Sequence, residues 1–295
     1  VPCVYRIAKN IMLITSPTNP RISKLKDLHT TRGRKKHGLF LMEGPHLLEA
    51  LLDANVLPNE VYYHTEYLQR TAKGSTLLAR LLRMPSLSDE QRIEVSERVI
   101  EAVSDTVTSQ GVVSVLPLTA FLPEAVRARR LRHTVADIPR PALLVLDDIA
   151  DPGNMGTILR TALAADVDTV LLTPNCVDCY SPKVVRAAAG VHIFLPIENN
   201  VSWPTIAASV QAHCHDDVRV LLAEAGSAVL YYEQDLTQPF ALIIGNEAHG
   251  PSPEAHALAT TSVTIPLAND VESLNAAMAA GIVLYEVVRQ KLKRD

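Results

Sequence analysis

The spacing of apolar residues divides the chain into strand-sized and helix-sized pieces. Ile22, Leu25 and Leu28 recur at helical spacing, with lysines between them. Residues 39–42 (LFLM) form a short apolar run that the Glu43-Gly44-Pro45 break ends. Residues 46–54 return to helical spacing and turn Leu47, Leu48, Leu51 and Leu52 to one side. Strands are predicted at 61–63, 93–95 and 111–116, and helices at 77–82 and 96–102. Residues 1–14 carry little pattern and read as a tail or a lead-in strand. Together these pieces predict a small α/β domain over residues 1–117.

Residues 118–140 hold prolines, a basic run and only weak periodicity, and read as a linker with room for one short helix. Residues 142–146 (ALLVL) are continuously apolar, as in a strand buried on both faces. Further strands are expected at 169–172, 192–195, 218–222, 241–244 and 262–265, mostly with helical patterns between them. An Ala-rich helix is expected over 276–288. That alternation predicts a doubly wound, mostly parallel sheet over residues 141–295.

Composition narrows the class. Hydrophobic residues make up 47% of the 295 and aromatics only 4%, so the cores are expected to be aliphatic. No apolar run reaches the roughly 18 residues of a membrane helix. The first residues lack the order of a secretory signal, and four cysteines do not make a disulfide framework, so a cytoplasmic protein without membrane partners is expected. The net charge is −4, yet Arg21, Lys24, Lys26, Arg32, Arg34, Lys35 and Lys36 crowd one stretch opposed only by Asp27. Such a local basic footprint on an acidic whole fits contact with phosphates, and a solvated charged face is the plainer alternative. Arg127, Arg129, Arg130 and Arg132 form a second, weaker candidate. The pair Cys176 and Cys179, with His213, Cys214 and His215, has tolerable zinc spacing, but a single C-x-x-C is thin support and no metal is expected. Neither a G-x-G-x-x-G nor a P-loop sequence occurs.

The chemistry concentrates in three stretches, each a polar loop after an apolar strand and before a helix. They are residues 151–162 (DPGNMGTILRTA), 242–250 (LIIGNEAHG) and 265–277 (IPLANDVESLNAA). Loops so placed build the ligand site of an open α/β sheet. Their polar residues could equally be helix caps, and Ile265 and Leu274 plain core. Taken together, the three resemble the signature motifs of the SpoU (TrmH-like) RNA ribose 2′-O-methyltransferases of the SPOUT superfamily. The forms are N-x-G-x-I-x-R-T-A from Asn154, G-N-E-x-x-G from Gly245, and I-P followed by S-L-N ending at Asn275. Residues 19–54 and 103–115 also resemble the substrate-binding domain attached to many SpoU enzymes.

The resemblance implies a SPOUT-type parallel sheet with a C-terminal trefoil knot, preceded by a smaller α/β RNA-binding domain. It implies S-adenosylmethionine as cofactor, RNA as partner (ribosomal RNA before transfer RNA), and a homodimer. Gly245, Ile265, Leu274 and Ala223 would hold the cofactor, with Ile265 and Leu274 against the flat adenine. Arg160 would be central to activating the 2′-hydroxyl. A guanidinium does not normally deprotonate, so it is expected to clamp a phosphate and stabilise the developing alkoxide. Asn154 would orient Arg160 or the loop by side-chain amide bonds. Glu247 would pin Arg160, across a dimer interface included, or bind a ribose hydroxyl, and Ser273 and Asn275 would bond phosphate, ribose or cofactor while capping a helix. Lys183 and Arg186, in a segment resembling P-K-x-x-R-x-S-x-G, are candidate phosphate contacts, although Ala188 stands where serine is usual. The competing expectation is a non-catalytic RNA-binding or assembly factor that keeps the fold.

Overall fold

The computed structural model describes residues 12–106, 108–130, 142–215, 217–269 and 271–292. The chain divides into two compact units, Val1–Ala120 with Tyr180–Arg186, and Phe121–Cys179 with Ala187–Asp295.

In the first unit the chain runs β1 (Met12–Ile14), α1 (Pro20–Asp27), α2 (Thr31–His37), β2 (Leu39–Glu43), α3 (Pro45–Asp53), β3 (Glu60–Tyr63), α4 (Thr65–Gln69), α5 (Ala72–Arg83), β4 (Arg92–Val95), α6 (Glu97–Val103) and β5 (Val112–Pro117). The strands form one mixed sheet in the order β1-β4-β3-β5-β2. β5 runs antiparallel to both its neighbours, and β4 parallel to both of its own. The period-2 alternation of strands supplies a core on each face. Tyr62 and Ile93 meet Ile22, Leu25 and Leu28 on one side. Val61 and Tyr63 meet Leu48, Leu77 and Leu81 on the other. Burying each such side chain contributes about 1.5–3 kcal/mol.

Two corners of this unit share one construction. Thr30 caps α2 by accepting the Gly33 N–H at 3.0 Å, and Thr71 caps α5 by accepting the Gly74 N–H at 3.0 Å. A Cβ on Gly33 would lie 1.9 Å from the Asp27 carbonyl oxygen, and one on Gly74 2.1 Å from that of Leu68. Each Thr-x-x-Gly therefore lets a helix start against the end of the helix before it. At the first corner Arg34 turns inward, is buried, and donates to the Leu28 carbonyl at 2.8 Å and the Thr31 hydroxyl at 3.0 Å.

The second unit holds α7 (Pro123–Arg130), β6 (Ala142–Leu146), α8 (Pro152–Ala164), β7 (Thr169–Leu172), the end of α9 (Pro182–Ala188), β8 (Ile197–Glu198), α10 (Trp203–Cys214), β9 (Val220–Ala223), β10 (Val229–Leu230), β11 (Phe240–Ile244), α11 (Pro253–Leu258), β12 (Thr261–Thr264) and α12 (Ala276–Leu292). Its seven strands are all parallel, in the order β10-β12-β9-β11-β6-β7-β8. One face packs on α10 and α11 through Ile206, Val210 and Ala255. α12 packs against α8 and β11. No helix among the described residues is long and apolar enough to cross a membrane.

Three expectations are corrected. The apolar run at 192–195 is not a strand: Val191–Ile193 is a 3-10 turn entered through left-handed Ala189 (φ 50°) and Gly190 (φ 88°), and the strand is the later Ile197–Glu198. Short apolar runs fit either geometry, and the turn before this one decides it. The stretch expected as a linker is ordered in its first part, where α7 docks on its own unit. Buried Arg130 bonds the Val167 carbonyl and Asp166, each at 2.6 Å, and Arg129 bonds the Ile193 carbonyl. Arg130 and Arg129 are thus structural, and Arg132 lies outside the described residues. The final helix begins at Ala276 as expected, but its capping side chain is Asn275, while Ser273, also expected to cap, lies on the loop before it.

Candidate active site

The three motif stretches meet at the C-terminal ends of parallel strands in the second unit, which is where such sheets take ligands. β6 ends at Leu146, and Asp148 follows in left-handed backbone (φ 57°). Asp151 then caps α8, accepting the Asn154 N–H at 2.7 Å. Asn154 is therefore inside the first turn of the helix, not its cap. A Cβ on Gly156 would lie 2.3 Å from that of Ala187 and 2.9 Å from the Ala188 nitrogen, so glycine lets α8 close on the end of α9. Buried Ala188 occupies that tight junction.

A line of hydrogen bonds joins the motifs. The Asn275 amide donates to Asn154 Oδ1 at 2.9 Å, and Asn154 Nδ2 donates to Glu247 Oε1 at 2.6 Å. Asn275 Oδ1 also accepts the Ala277 and Met278 N–H groups, which makes it the cap of α12. Asn246 pins the middle loop: its amide donates to the Asp148 carbonyl at 2.7 Å while its oxygen accepts the N–H groups of Ala248 and His249. Buried Asp147 accepts the Ser252 N–H at 2.8 Å. Asn246 and Asp147 were missed as site residues. Asn246 lies inside the G-N-E motif, whereas nothing in the sequence marks Asp147.

Beside this line lies a cleft of about 440 Å³ lined by all four expected cofactor residues, Ala223, Gly245, Ile265 and Leu274, together with Glu247 and Ser273. Its volume is in the range of small-molecule sites. Leu267 and Leu274 remain 36% exposed on its wall, an apolar surface suited to a flat ring. Gly245 also serves its own loop. A Cβ there would meet the Pro251 nitrogen at 2.6 Å, so glycine lets the loop close on itself. Apolar wall and carboxylates together fit an adenosyl sulfonium ligand.

Arg160 is exposed on α8 and makes no hydrogen bond or ion pair with a described residue. Within the chain neither Asn154 nor Glu247 bonds it; of the two expected roles of Asn154, the amide takes the one that holds the motif loops. Of the basic residues in the first unit, Arg32, Lys35 and Lys36 are exposed, with Lys36 3.8 Å from Asp27. Arg21 reaches the Glu90 carbonyl at 3.5 Å and Lys24 is half-buried. Arg34 is corrected: its guanidinium is spent on its own corner and is buried, so it does not face a phosphate. Lys183 is exposed, and half-exposed Arg186 pairs with Asp105 at 2.7 Å. The C-x-x-C thiols point to different partners, Cys176 to the Leu146 carbonyl and Cys179 to Asn199. Among the described residues no cluster of three metal-ligating side chains occurs.

Fold and cleft define an α/β protein with a ligand-sized cleft at the ends of its parallel strands. Residues 141–285 match the SpoU rRNA Methylase family, and residues 19–114 match the MRM3-like substrate binding domain. An uncharacterised tRNA/rRNA methyltransferase of Synechocystis is 36% identical over 98% of this chain and 97% of its own. The 23S rRNA (guanosine(2553)-2′-O)-methyltransferase RlmP of Bacillus subtilis is 30% identical over 93% of this chain and 98% of its own. The AdoMet-bound rRNA methyltransferase of Sinorhizobium meliloti superposes with a TM-score of 0.73 at 28% identity, covering 94% of this chain and 97% of that one. The chain belongs to the SpoU rRNA methylase family. It is an RNA 2′-O-methyltransferase whose cofactor is S-adenosylmethionine.

Proposed function

We propose that this enzyme methylates a ribose 2′-hydroxyl in ribosomal RNA, with transfer RNA as the second choice, and that it works as a homodimer with a knotted catalytic domain. The observation that carries the reading is the bonded line Asn275–Asn154–Glu247, which fixes three sequence-distant motifs beside one adenosyl-sized cleft. Ribosomal RNA is favoured because the Bacillus relative acts on 23S rRNA. The exposed Arg32, Lys35 and Lys36 of the first unit supply a sequence-independent hold on RNA phosphates.

S-adenosylmethionine, when bound, supplies a methyl group on a sulfonium. Ile265 and Leu274 would hold its adenine, and Asn154 keeps Glu247 in place. Arg160, a permanent cation, clamps the RNA phosphate next to the target ribose and stabilises negative charge on the 2′-oxygen as its proton leaves to water or a phosphate oxygen. Ser273, exposed on the loop before α12, is placed to bond the incoming ribose.

Support for the dimer comes from α12, where exposed Met278, Tyr285 and Leu292 recur every seven residues in one stripe. α8, which carries Arg160, packs alongside that helix, so a second copy seated there would complete the surroundings of Arg160. Support for the knot comes from connectivity. The chain leaves β12, which lies beyond β9 and β11 from β6, and α12 then sits back on α8, a return of the kind a threaded connection makes and ordinary connections seldom do.

The test is methyl transfer from labelled S-adenosylmethionine to ribosomal and transfer RNA, wild type against Arg160→Ala, with digestion to nucleosides. Ribose-methylated product, and a loss of about a hundredfold or more in the variant, is expected. Base-methylated product overturns the reaction. Absence of cofactor binding favours a scaffold over an enzyme.

A further inference from the structure

Glu224 follows β9 directly, in the middle of the strand ends that build the cleft. The register pairs Ala223 with Ile244 of β11 on one side and with Val263 of β12 on the other. Glu224 therefore stands level with Gly245 and between the two strand ends assigned to the adenosyl group. Its own N–H is fixed on the Val263 carbonyl at 3.0 Å. Its half-exposed carboxylate lines the cleft, with His256 Nε2 3.6 Å away on α11, also in the lining.

The other acidic groups of the cleft are placed differently. Glu247 accepts from Asn154 and belongs to the motif line. Glu272 is exposed on the loop between β12 and α12. Glu224 is the one set on a strand end, flanked on both sides by paired strands, with no neutral donor of the described chain engaging its carboxylate. A rigidly based carboxylate beside an adenine-sized apolar wall matches one feature of an adenosine: the 2′,3′-diol, two adjacent O–H donors that a carboxylate accepts together. Acidic side chains at strand ends serve that purpose in dinucleotide sites.

We propose that Glu224 accepts the ribose hydroxyls of the methyl donor's adenosine, with His256 as the positioning residue that holds its carboxylate. The inference rests on the S-adenosylmethionine reading of the cleft. It concerns the ribose of the cofactor, not that of the RNA, so it is separable from the reaction.

The experiment is calorimetric binding of S-adenosylhomocysteine and its 2′-deoxy and 3′-deoxy analogues to wild type, Glu224→Ala and Glu224→Gln, with melting temperature as the folding control. Wild type is expected to bind the deoxy analogues about ten- to a hundredfold more weakly than S-adenosylhomocysteine. Glu224→Ala is expected to lose a similar factor for S-adenosylhomocysteine and to treat the three ligands alike. Glu224→Gln, which keeps the size and one acceptor, is expected to fall between. His256→Ala should weaken S-adenosylhomocysteine binding about three- to tenfold, and His256→Gln, which can still donate to the carboxylate, should recover most of it. Wild-type affinity in Glu224→Ala, or unchanged discrimination against the deoxy analogues, overturns the proposal. A wild-type protein that binds none of the three overturns the cofactor site itself, and this inference with it.

Discussion

Asn154 offers the sharpest test of the site's construction, because its amide uses both ends. It accepts from Asn275 and donates to Glu247, so three motifs depend on one side chain. Asn154→Ala removes both bonds. The bond to a carboxylate is worth about 1.5–3 kcal/mol and the amide bond about 0.5–1.5, with exposure keeping each near its lower bound, so about 2 kcal/mol of stability should go. Activity should fall further than stability predicts. Freeing Glu247 and Asn275 by an ångström is enough for about a hundredfold loss. Asn154→Asp separates geometry from charge. It can still accept from Asn275, but it sets a second carboxylate against Glu247, a repulsion of about 1 kcal/mol in water and about 4 at the effective dielectric of a protein surface. The aspartate variant should therefore be the less stable of the two at pH 8 and no more active. The assays are urea unfolding and single-turnover methyl transfer at saturating cofactor. An aspartate variant as stable and active as wild type would refute the bonded line as the site's frame, as would an alanine variant unchanged in both assays.

Two further outcomes are expected. Arg34→Met should cost about 2–4 kcal/mol of stability in urea unfolding, since the buried guanidinium leaves the Leu28 carbonyl without its bond. Lys35→Ala with Lys36→Ala should leave the midpoint unchanged and lower the salt dependence of RNA binding by about 2 in log–log slope; the reverse pattern would return Arg34 to the RNA surface. His192 is fully buried with Nε2 2.8 Å from the Cys179 carbonyl, and burial pushes its imidazole down to about 4. The unfolded chain takes up this proton first, near 6.5, so stability is intact above that pH and is lost as pH falls toward 4. About 2 kcal/mol should disappear between pH 7.5 and 5. If His192→Gln loses as much over the same interval, the loss belongs to other groups.

Much of this site was legible because its residues are adjacent in the chain. The motif strings named Asn154, Glu247 and Asn275, the resemblance named Ala223, Gly245 and Ile265 as cofactor residues, and the rule that ligands sit at strand ends agrees with the one cleft they line. What stayed hidden depends on which atoms meet across distance. No spacing shows that Asn154 spends its amide on Glu247 and Asn275, so the choice between orienting Arg160 and orienting the loops could not be made from the sequence. Arg34 was grouped with its neighbours because TTRGRKKH reads as uniformly polar. The informative signal was Thr30 three residues before Gly33, which marks a tight corner and turns the next side chain inward. That Gly245 makes room for the backbone of its own loop depends on its approach to Pro251, which the motif string does not show. The turn at Val191 depended on two left-handed residues that an apolar run gives no way to anticipate.

The strand order also has a consequence for synthesis. β6, all apolar, lies inside the finished sheet between β7 and β11, yet β7 follows it closely and β11 begins only at Phe240. Roughly a hundred residues separate the two, so at about 5–20 residues per second one flank of β6 waits some 5–20 seconds for its partner. During that interval the nascent chain presents a bare hydrophobic edge of the kind that attracts other strands. Expression of this enzyme should accordingly respond to chaperone supply and to slower growth temperature, and a chain stopped before Phe240 should go to the insoluble fraction while one ending after Leu292 does not.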